Sequence, residues 1–429
     1  MSGGFRGLLL DVTPLRLDHD YRWLWGGQVV SGMGTQITRL ALPFQVYALT
    51  GSTLAIAALT FVQLIPLLAF ALVAGSLVDA VDRRKLLLLT QTGLALCSVA
   101  LLLLAMQGEP PLWTLFLVAF LTAALSSVDQ PARGSSIPRL VPPERLPAAL
   151  ALNQLNFQAA SIVGPAIAGI LIATVGLVGA YAVDVMTFVA SFIGLLAIAP
   201  LPPLGQVRPP GLGAIREGLA YVRRHRAIMG TFVIDLNAMI LAMPTSLFPA
   251  IALDVFGVGP AGLGFLAAAP ALGAFIGALF SGFLSSVVRV GRGVVIAVTG
   301  WGIAMALFGL ATVGQEFGVA PMPVLFGLAC LMLAIAGAAD MFSAVLRNTI
   351  VQLGTPDELR GRITSIHTLV VAGGPRIGDI QAAVTAAFIG PGQAVLLGGI
   401  LCTLGVGAVV RWLPELPEHI IRLRGGDHP

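Results

Sequence analysis

Several ionisable side chains lie inside long apolar segments of this chain. A lone charge near the centre of a bilayer costs at least ~2.5–3.5 kcal/mol, so such a residue is expected to face the protein interior and to find a partner there. A buried acid can bind a proton, and a buried base can pair with an acid or with an anionic substrate. The residues concerned are Arg39, Asp184, Asp235, Asp340, Arg376 and Asp379.

The stretch "GGPRIGDIQ" places Arg376 and Asp379 three residues apart in such a segment. On a helix this spacing lets the two side chains reach one another. Two interpretations stay open. In one, the carboxylate takes up a proton and releases Arg376, so that the pair couples proton binding to movement. In the other, the pair is static and fixes the register of its helix. Gly374 and Pro375, just before the pair, mark a place where the helix bends.

Three further charges have open roles. Asp235, in "FVIDLNAMI", is a candidate for binding protons or substrate, with a structural hydrogen bond as the alternative. Arg39, in "TQITRLALP", is expected to face a cavity, or else to pair with a buried acid. Asp184 is also a candidate, although a structural role is favoured there.

The composition points to lipid as the main solvent. Of 429 residues, 57% are apolar and only 10% are charged, whereas soluble proteins carry roughly 25% charged residues. The formal charge of +4 comes from basic residues between apolar runs, which suggests membrane topology and not nucleic-acid binding. Cys97, Cys330 and Cys402 lie in separate apolar runs, so neither a disulfide framework nor a metal site is predicted. No signal peptide is predicted.

Apolar runs of about 20 residues, the length that crosses a bilayer as a helix, recur along the whole chain. The sequence therefore predicts an all-α membrane protein with twelve transmembrane helices. The predicted spans are 22–48, 54–78, 86–107, 111–134, 147–175, 178–200, 228–255, 260–286, 293–313, 321–346, 363–388 and 392–412.

Basic residues concentrate in alternate connections between these spans and in both terminal segments. Arginines of this kind mark the cytoplasmic side of a membrane protein. Both termini are therefore predicted to be cytoplasmic. Arginine far outnumbers lysine, which hints at a bacterial genome rich in G and C, and the predicted location is the cytoplasmic membrane of a bacterium.

The predicted organisation has two halves. Residues 1–200 form an N-terminal six-helix bundle, 201–226 a cytoplasmic linker with an amphipathic helix, 227–413 a C-terminal six-helix bundle and 414–429 a cytoplasmic tail. The linker helix either lies on the membrane surface or is a plain connector.

The halves resemble one another weakly. "LVPPERLPAA" before span 5 matches "LGTPDELRGR" before span 11, and Asp129 is mirrored by Asp340. Internal repeats in a membrane protein of many spans are typical of transporters that work by alternating access. Asp129 and Asp340, with Arg133 and Arg347 after them, are predicted to form latches on the cytoplasmic side.

The loop "GSLVDAVDRRKLLLL" resembles the signature of the major facilitator superfamily, G-x-L-x-D-R-x-G-R-[RK]. Ala80 and Asp82 stand where the signature has Arg and Gly. The matching residues are Gly75, Leu77, Asp79, Arg83 and Arg84. The resemblance implies a gating role for Gly75, Asp79, Arg83 and Arg84.

In span 5, "SIVGPAIAGIL" is similar to the antiporter signature of that superfamily, with Gly164, Pro165 and Gly169 as residues that let the helix bend. Ordinary packing of small residues is the alternative. The segments "LFPAIALDVFGVGPAGLGFLAAAPALGAFIGALFSG" and "LRGRITSIHTLVVAGGPRIGD" resemble the branch that holds enterobactin exporters and multidrug and macrolide efflux proteins. The resemblance implies a two-bundle exporter driven by a proton gradient.

The predicted function is proton-coupled export of small amphipathic molecules, siderophores or drugs. The alternatives are an uptake symporter or facilitator for a polar metabolite, and a lysophospholipid transporter on the same fold. The chain has one lysine, Lys85, and no P-loop, so neither an ATP-driven pump nor an enzyme is predicted. We expect a monomer with protons, a small-molecule substrate and the bilayer as partners, and with neither cofactor nor nucleic acid.

Overall fold

The computed structural model describes residues 11–71, 77, 78, 80–203, 219–418 and 420. Within these ranges every regular element is a helix and no strand occurs. A bilayer offers no hydrogen bonds to backbone groups, and a helix satisfies them within its own segment. The predicted all-α class is therefore confirmed for the described ranges. Gly75, Asp79 and most of the predicted linker 201–226 and of the predicted tail 414–429 lie outside them.

The chain separates into two compact units, Met1–Leu49 with Val62–Pro210, and Thr50–Phe61 with Gly211–Pro429. Among the described residues up to 203, six α-helices have complete bounds, and residues 77, 78 and 80 are also helical. The six helices are α1 Thr13–Leu17, α2 His19–Thr50, α3 Thr53–Ala71, α4 Arg83–Met106, α5 Leu112–Leu140 and α6 Leu146–Ala197.

In the described residues from 219 onwards, eight α-helices have complete bounds, and residues 219–224 are also helical. The eight helices are α7 Arg226–Leu241, α8 Phe248–Ala250, α9 Gly259–Leu279, α10 Val290–Glu316, α11 Met322–Gly354, α12 Asp357–Ile389, α13 Pro391–Trp412 and α14 Glu415–Glu418. Short 3₁₀ turns at Thr245–Leu247 and Ser281–Ser286 and a π-turn at Ile251–Val255 complete this part.

Helix α6 is too long for one crossing. Its 52 residues span about 78 Å at 1.5 Å per residue, more than twice the hydrocarbon thickness of a bilayer. Gly176 interrupts it with a φ of 72°, a backbone conformation that glycine adopts without strain. This kink lies between the predicted spans 147–175 and 178–200.

Nine helical segments of the described ranges are long and apolar enough to cross a membrane. The segment Pro143–Ala197 counts once among them, although the kink at Gly176 divides it. Helices α2 and α12 are absent from the nine because acidic, basic and other polar side chains lower their mean hydropathy. They nevertheless are 32 and 33 residues long, which is sufficient to cross.

The predicted span 228–255 is broken in the middle. Helix α7 ends at Leu241, and helical structure resumes at Thr245 as a 3₁₀ turn that continues through α8 into the π-turn. We call this second part segment 245–255. Pro244, which cannot donate a backbone hydrogen bond, lies inside the break and accounts for it locally.

Helices α9 and α11 pack at very short range through glycine. A β-carbon added to Gly273 would overlap the carbonyl group of Ala334, and one added to Gly337 would overlap that of Pro270. Small residues allow helix backbones to approach closely in membranes, where dispersion contacts drive association. This contact fixes the position of α11, which carries Asp340 and Arg347.

Gly337→Ala is therefore expected to lower the stability of the protein by about 1–3 kcal/mol, because the new methyl group overlaps backbone atoms that cannot rotate away. Gly327→Ala on the same helix is the matched control, since no neighbouring atom lies within 4 Å of its β-carbon position. Thermal unfolding in detergent measures both variants. Equal midpoints for the two variants would contradict the packing described for α9 and α11.

Candidate functional site

The second unit contains a cluster of one arginine and two acids. Arg347 Nη1 donates a hydrogen bond to Asp235 Oδ1, and Arg347 Nη2 lies 3.5 Å from Asp340 Oδ1. Asp340 and Arg347 are seven residues apart on α11, which is two helical turns, so they share one face. Helix α7 supplies Asp235 from the opposite side.

The two acids differ in their surroundings. Asp235 is 2% exposed and Arg347 is 6% exposed, whereas the side chain of Asp340 is 55% exposed. A guanidinium stays protonated under all physiological conditions. With both acids ionised, the cluster therefore carries one negative charge in excess.

Part of the cluster's hydrogen-bonding capacity is unused. Arg347 Nε and Ser343 Oγ are buried and have no hydrogen-bond partner in the part of the chain that the structure describes. Buried polar atoms without a partner are uncommon and costly. The cluster thus combines an excess negative charge with donors that have no acceptor among the described residues. Asp340 can accept a proton or a cation while Asp235 stays paired with Arg347.

Sequence reasoning treated these residues separately, with Asp235 as a proton or substrate candidate and Asp340 and Arg347 as a latch. The structure brings all three together. Asp235 and Arg347 are 112 residues apart, and nothing in their local sequence indicates that they meet. The ion pair becomes visible only once α7 packs against α11.

The first unit holds a more complete network around Asp129. Arg133 Nε donates to Asp129 Oδ2 over 2.6 Å, and Thr90 Oγ1 and Gln91 Nε2 donate to Oδ1 over 2.7 and 3.0 Å. Ser191 Oγ in turn donates to Gln91 Oε1. One acid faces one arginine here, so the charges balance and α4, α5 and α6 are tied together. The predicted pairing of Asp129 with Arg133 is what the geometry shows; its role as a latch stays a prediction.

Asp184 is a buried acid held by neutral groups. Thr38 Oγ1 and Ser98 Oγ donate to its Oδ2 over 2.6 and 2.5 Å, while its Oδ1 has no hydrogen-bond partner among the residues described. The residue is 1% exposed and sits against Gly34, where any β-carbon would collide with its carboxyl group. Helices α2, α4 and α6 meet at this point.

Asp379 contacts the break in the 228–255 span. Its Oδ1 accepts hydrogen bonds from Thr245 Oγ1 and from the backbone N–H of Ser246, both over 2.7 Å. Sequence reasoning predicted Arg376 as the partner of Asp379 and missed Thr245 and Ser246. The available signal was "MPTS", since a proline followed by two hydroxyl residues is typical of a new helix start.

The remaining predicted residues are spread over both units. Arg84 donates to the carbonyl groups of Leu195 and Leu196 over 2.9 and 2.8 Å at the end of α6, and Arg83 Nη1 donates to Ser135 O. The two bonds of Arg84 satisfy backbone carbonyls that the end of α6 leaves free. Arg39 lies on α2 and is exposed.

The residues predicted to bend helices lie inside continuous helices. Gly164, Pro165 and Gly169 are buried in α6, where Gly164 allows the side chain of Gln36 to approach. Gly374 and Pro375 lie within α12, and Gly374 faces Met239. Close packing is the role that these contacts show, and bending stays a prediction.

Removing Arg347 is expected to be severe. Arg347→Met leaves Asp235 as an uncompensated buried charge, at a cost of about 3–5 kcal/mol. The double variant Arg347→Met with Asp235→Leu is expected to regain most of that loss, and Asp340→Asn to cost less than about 1 kcal/mol because its side chain is half exposed. Thermal unfolding in detergent reports all three. A double variant no more stable than Arg347→Met alone would contradict the pairing.

The free energy of unfolding of Asp184→Asn is expected to lie within about 1 kcal/mol of the wild-type value. The amide oxygen still accepts hydrogen bonds from Thr38 and Ser98, and no cation loses its partner. Asp184→Leu leaves both hydroxyls without an acceptor and is expected to cost about 2–4 kcal/mol. Thermal unfolding of the two variants in detergent measures both costs. If Asp184→Asn were as damaging as Asp184→Leu, an ionised carboxylate would be required at this position.

Comparison with known proteins extends over nearly the whole chain. The family described as transmembrane secretion effectors matches residues 11–420. The enterobactin exporter EntS of Escherichia coli O1:K1 is 28% identical over 417 residues, which covers 96% of this chain and 97% of that protein. The enterobactin exporter EntS of Citrobacter koseri is 27% identical over 419 residues, which covers 96% and 98%.

A solved structure shows the same fold at low identity. A bacterial homologue of the iron transporter ferroportin, in an inward-facing state, superposes with a TM-score of 0.68 and 17% identity, covering 92% of this chain and 99% of that one. The match over residues 11–420 and the transporter fold lead to one conclusion. The chain belongs to the transmembrane secretion effector family, within the major facilitator superfamily, and is an integral protein of the bacterial inner membrane.

Proposed function

We propose that this protein is a secondary active exporter that exchanges small amphipathic molecules, of the siderophore or drug class, for protons. The observation that carries this proposal is the similarity to enterobactin exporters, which covers 96% of this chain and 97% of the Escherichia coli protein. Export is thus the direction that the relatives support.

The proposed architecture has twelve spans in two six-helix bundles, 1–200 and 227–413, joined by the linker 201–226. The division of α6 at Gly176 and the lengths of α2 and α12 support this count beside the nine segments of sufficient hydropathy. The placement of arginines in alternate connections supports cytoplasmic termini. The protein works as a monomer.

The proposed coupling site is the Asp235–Arg347–Asp340 cluster. When Asp340 is ionised, the guanidinium of Arg347 is shared between two acids on different helices. When Asp340 takes up a proton, the excess negative charge disappears and Arg347 is paired with Asp235 alone. Since α7 carries one acid and α11 the other, protonation changes the force between these helices, which is how a proton can bias a two-state transporter.

The balanced network of Asp129 and Arg133 is assigned to the structural side of this cycle. It contains no excess charge and ties three helices of one unit together. We assign it, with Arg83 and Arg84, to holding the cytoplasmic ends of the helices. Arg39, Asp184 and Arg376 remain proposed contacts for protons or substrate.

Transport by reconstituted protein tests the proposal. In proteoliposomes with an imposed pH gradient, enterobactin is expected to move against the proton flux, without ATP. Asp340→Asn is expected to slow gradient-driven transport at least about tenfold, which corresponds to ~1.4 kcal/mol in the free-energy barrier, while enterobactin still binds. Asp254→Asn, an exposed acid-to-amide change on segment 245–255, is the matched control and is expected to behave as wild type.

Three results would overturn parts of this proposal. Transport that needs ATP would exclude a secondary transporter. Accumulation of a polar metabolite in whole cells upon expression would favour the uptake alternative. Full gradient-driven transport by Asp340→Asn would leave export in place but remove the cluster as the coupling site.

A further inference from the structure

The break at residues 242–244 exposes backbone polar groups inside a membrane span. The carbonyl oxygen of Ala242 and the amide of Ser246 have lost the partners that a continuous helix would provide. Lipid offers no replacement, and an unsatisfied backbone group there costs several kcal/mol. A break of this kind persists only if other parts of the protein satisfy its two ends.

Side chains from two other helices do so. Trp301 on α10 donates its indole N–H to Ala242 O over 3.1 Å. Asp379 on α12 accepts from Ser246 N over 2.7 Å, and the hydroxyl of Thr245 lies 2.7 and 2.8 Å from its two oxygens. Ser246 Oγ also donates to the carbonyl oxygen of Asp379. One end of the break is therefore held by a neutral donor and the other by an acid.

Glycines hold Asp379 at this place. A β-carbon at Gly378 would overlap the carbonyl oxygen of Met239, and one at Gly398 on α13 would overlap that of Leu241. The last turn of α7 is thus packed directly against the backbones of α12 and α13. Because Asp379 follows Gly378, its carboxyl group is aimed at the start of segment 245–255 by backbone contacts.

We propose that Asp379 is a proton-binding site that controls the break: ionised, it holds the start of segment 245–255, and protonated, it releases that segment to move. An ionised carboxylate offers acceptors to the Ser246 amide and Thr245 hydroxyl and a negative charge to a helix N-terminus. A proton removes the charge and occupies one acceptor site. Trp301 holds the other end at any proton concentration, since indole does not titrate.

Few other charges face this site. Arg376, one turn earlier on α12, acts on Asp379 electrostatically. Segment 245–255 carries Asp254, α7 carries Asp235 two turns before the break, and α13 carries Arg411 near its far end. The charged residues of α10 lie near its two ends, away from Trp301. The role of Asp379 depends on contacts within one unit, so it stands whichever substrate is carried.

Hydrogen–deuterium exchange of the protein in lipid nanodiscs tests this role. Backbone amides of residues 245–250 are compared with those of the α9–α11 contact, which serve as an internal reference at each pH. Relative exchange of 245–250 in the wild type is expected to rise about tenfold as the pH falls from about 8 to about 4, a range that extends from the values reached by buried carboxyl groups down to the ordinary value of an aspartate.

Three variants sharpen the result. Asp379→Asn is expected to exchange fast at both ends of the pH range, with the pH dependence lost. Trp301→Phe removes the neutral donor and is expected to raise exchange near the break by the same factor at every pH. Asp254→Asn, an acid-to-amide change on the same segment, is expected to match the wild type.

The outcomes are decisive without transport data. A wild-type segment whose relative exchange is constant across the pH range would overturn the proton-binding role, even if Asp379→Asn failed to fold. A pH dependence that persisted in Asp379→Asn would assign the titration to another group and equally overturn it. Failure of enterobactin transport with an intact pH-dependent break would reject the proposed substrate and leave this role of Asp379 in place.

Discussion

The absence of water from the bilayer core is the constraint on which the rest of this structure depends. A polar group there is satisfied by the protein itself or it costs several kcal/mol. The buried groups described above follow from it: Asp129 with its arginine, Asp184 with two hydroxyls, Arg347 with two acids, and the ends of a broken span with Trp301 and Asp379. Most of these contacts join different helices or turns; Asp129, whose arginine lies on its own helix, reaches a second helix through Thr90 and Gln91.

The network around Asp129 and the cluster around Arg347 satisfy this constraint differently. Around Asp129 the charges balance and the acceptors are filled, which is what a rigid body needs. Around Arg347 one acid is in excess, and two buried polar atoms lack partners among the described residues. A network that is complete holds one arrangement, whereas an incomplete one leaves a second arrangement close in free energy. Of these two networks, the one around Arg347 is therefore the candidate for movement.

Composition and hydropathy were sufficient for the helical membrane fold, because the period and length of apolar runs are local properties. They also located the buried charges, since a charge in an apolar run stands out. They could not pair Asp235 with Arg347, or Asp379 with Thr245 and Ser246, because these contacts form between helices more than 100 residues apart. Pro244 is a local sign of the break, but the prediction of one continuous span over 228–255 did not use it.

The kink at Gly176 has a consequence for how the first unit can rearrange. Two membrane-length segments are joined there through a single residue, so the joint has no slack. A displacement of one segment is therefore transmitted to the other through the φ and ψ torsions of Gly176. Lengthening the joint by even a few residues would therefore uncouple the two segments mechanically while leaving every buried contact of each one intact.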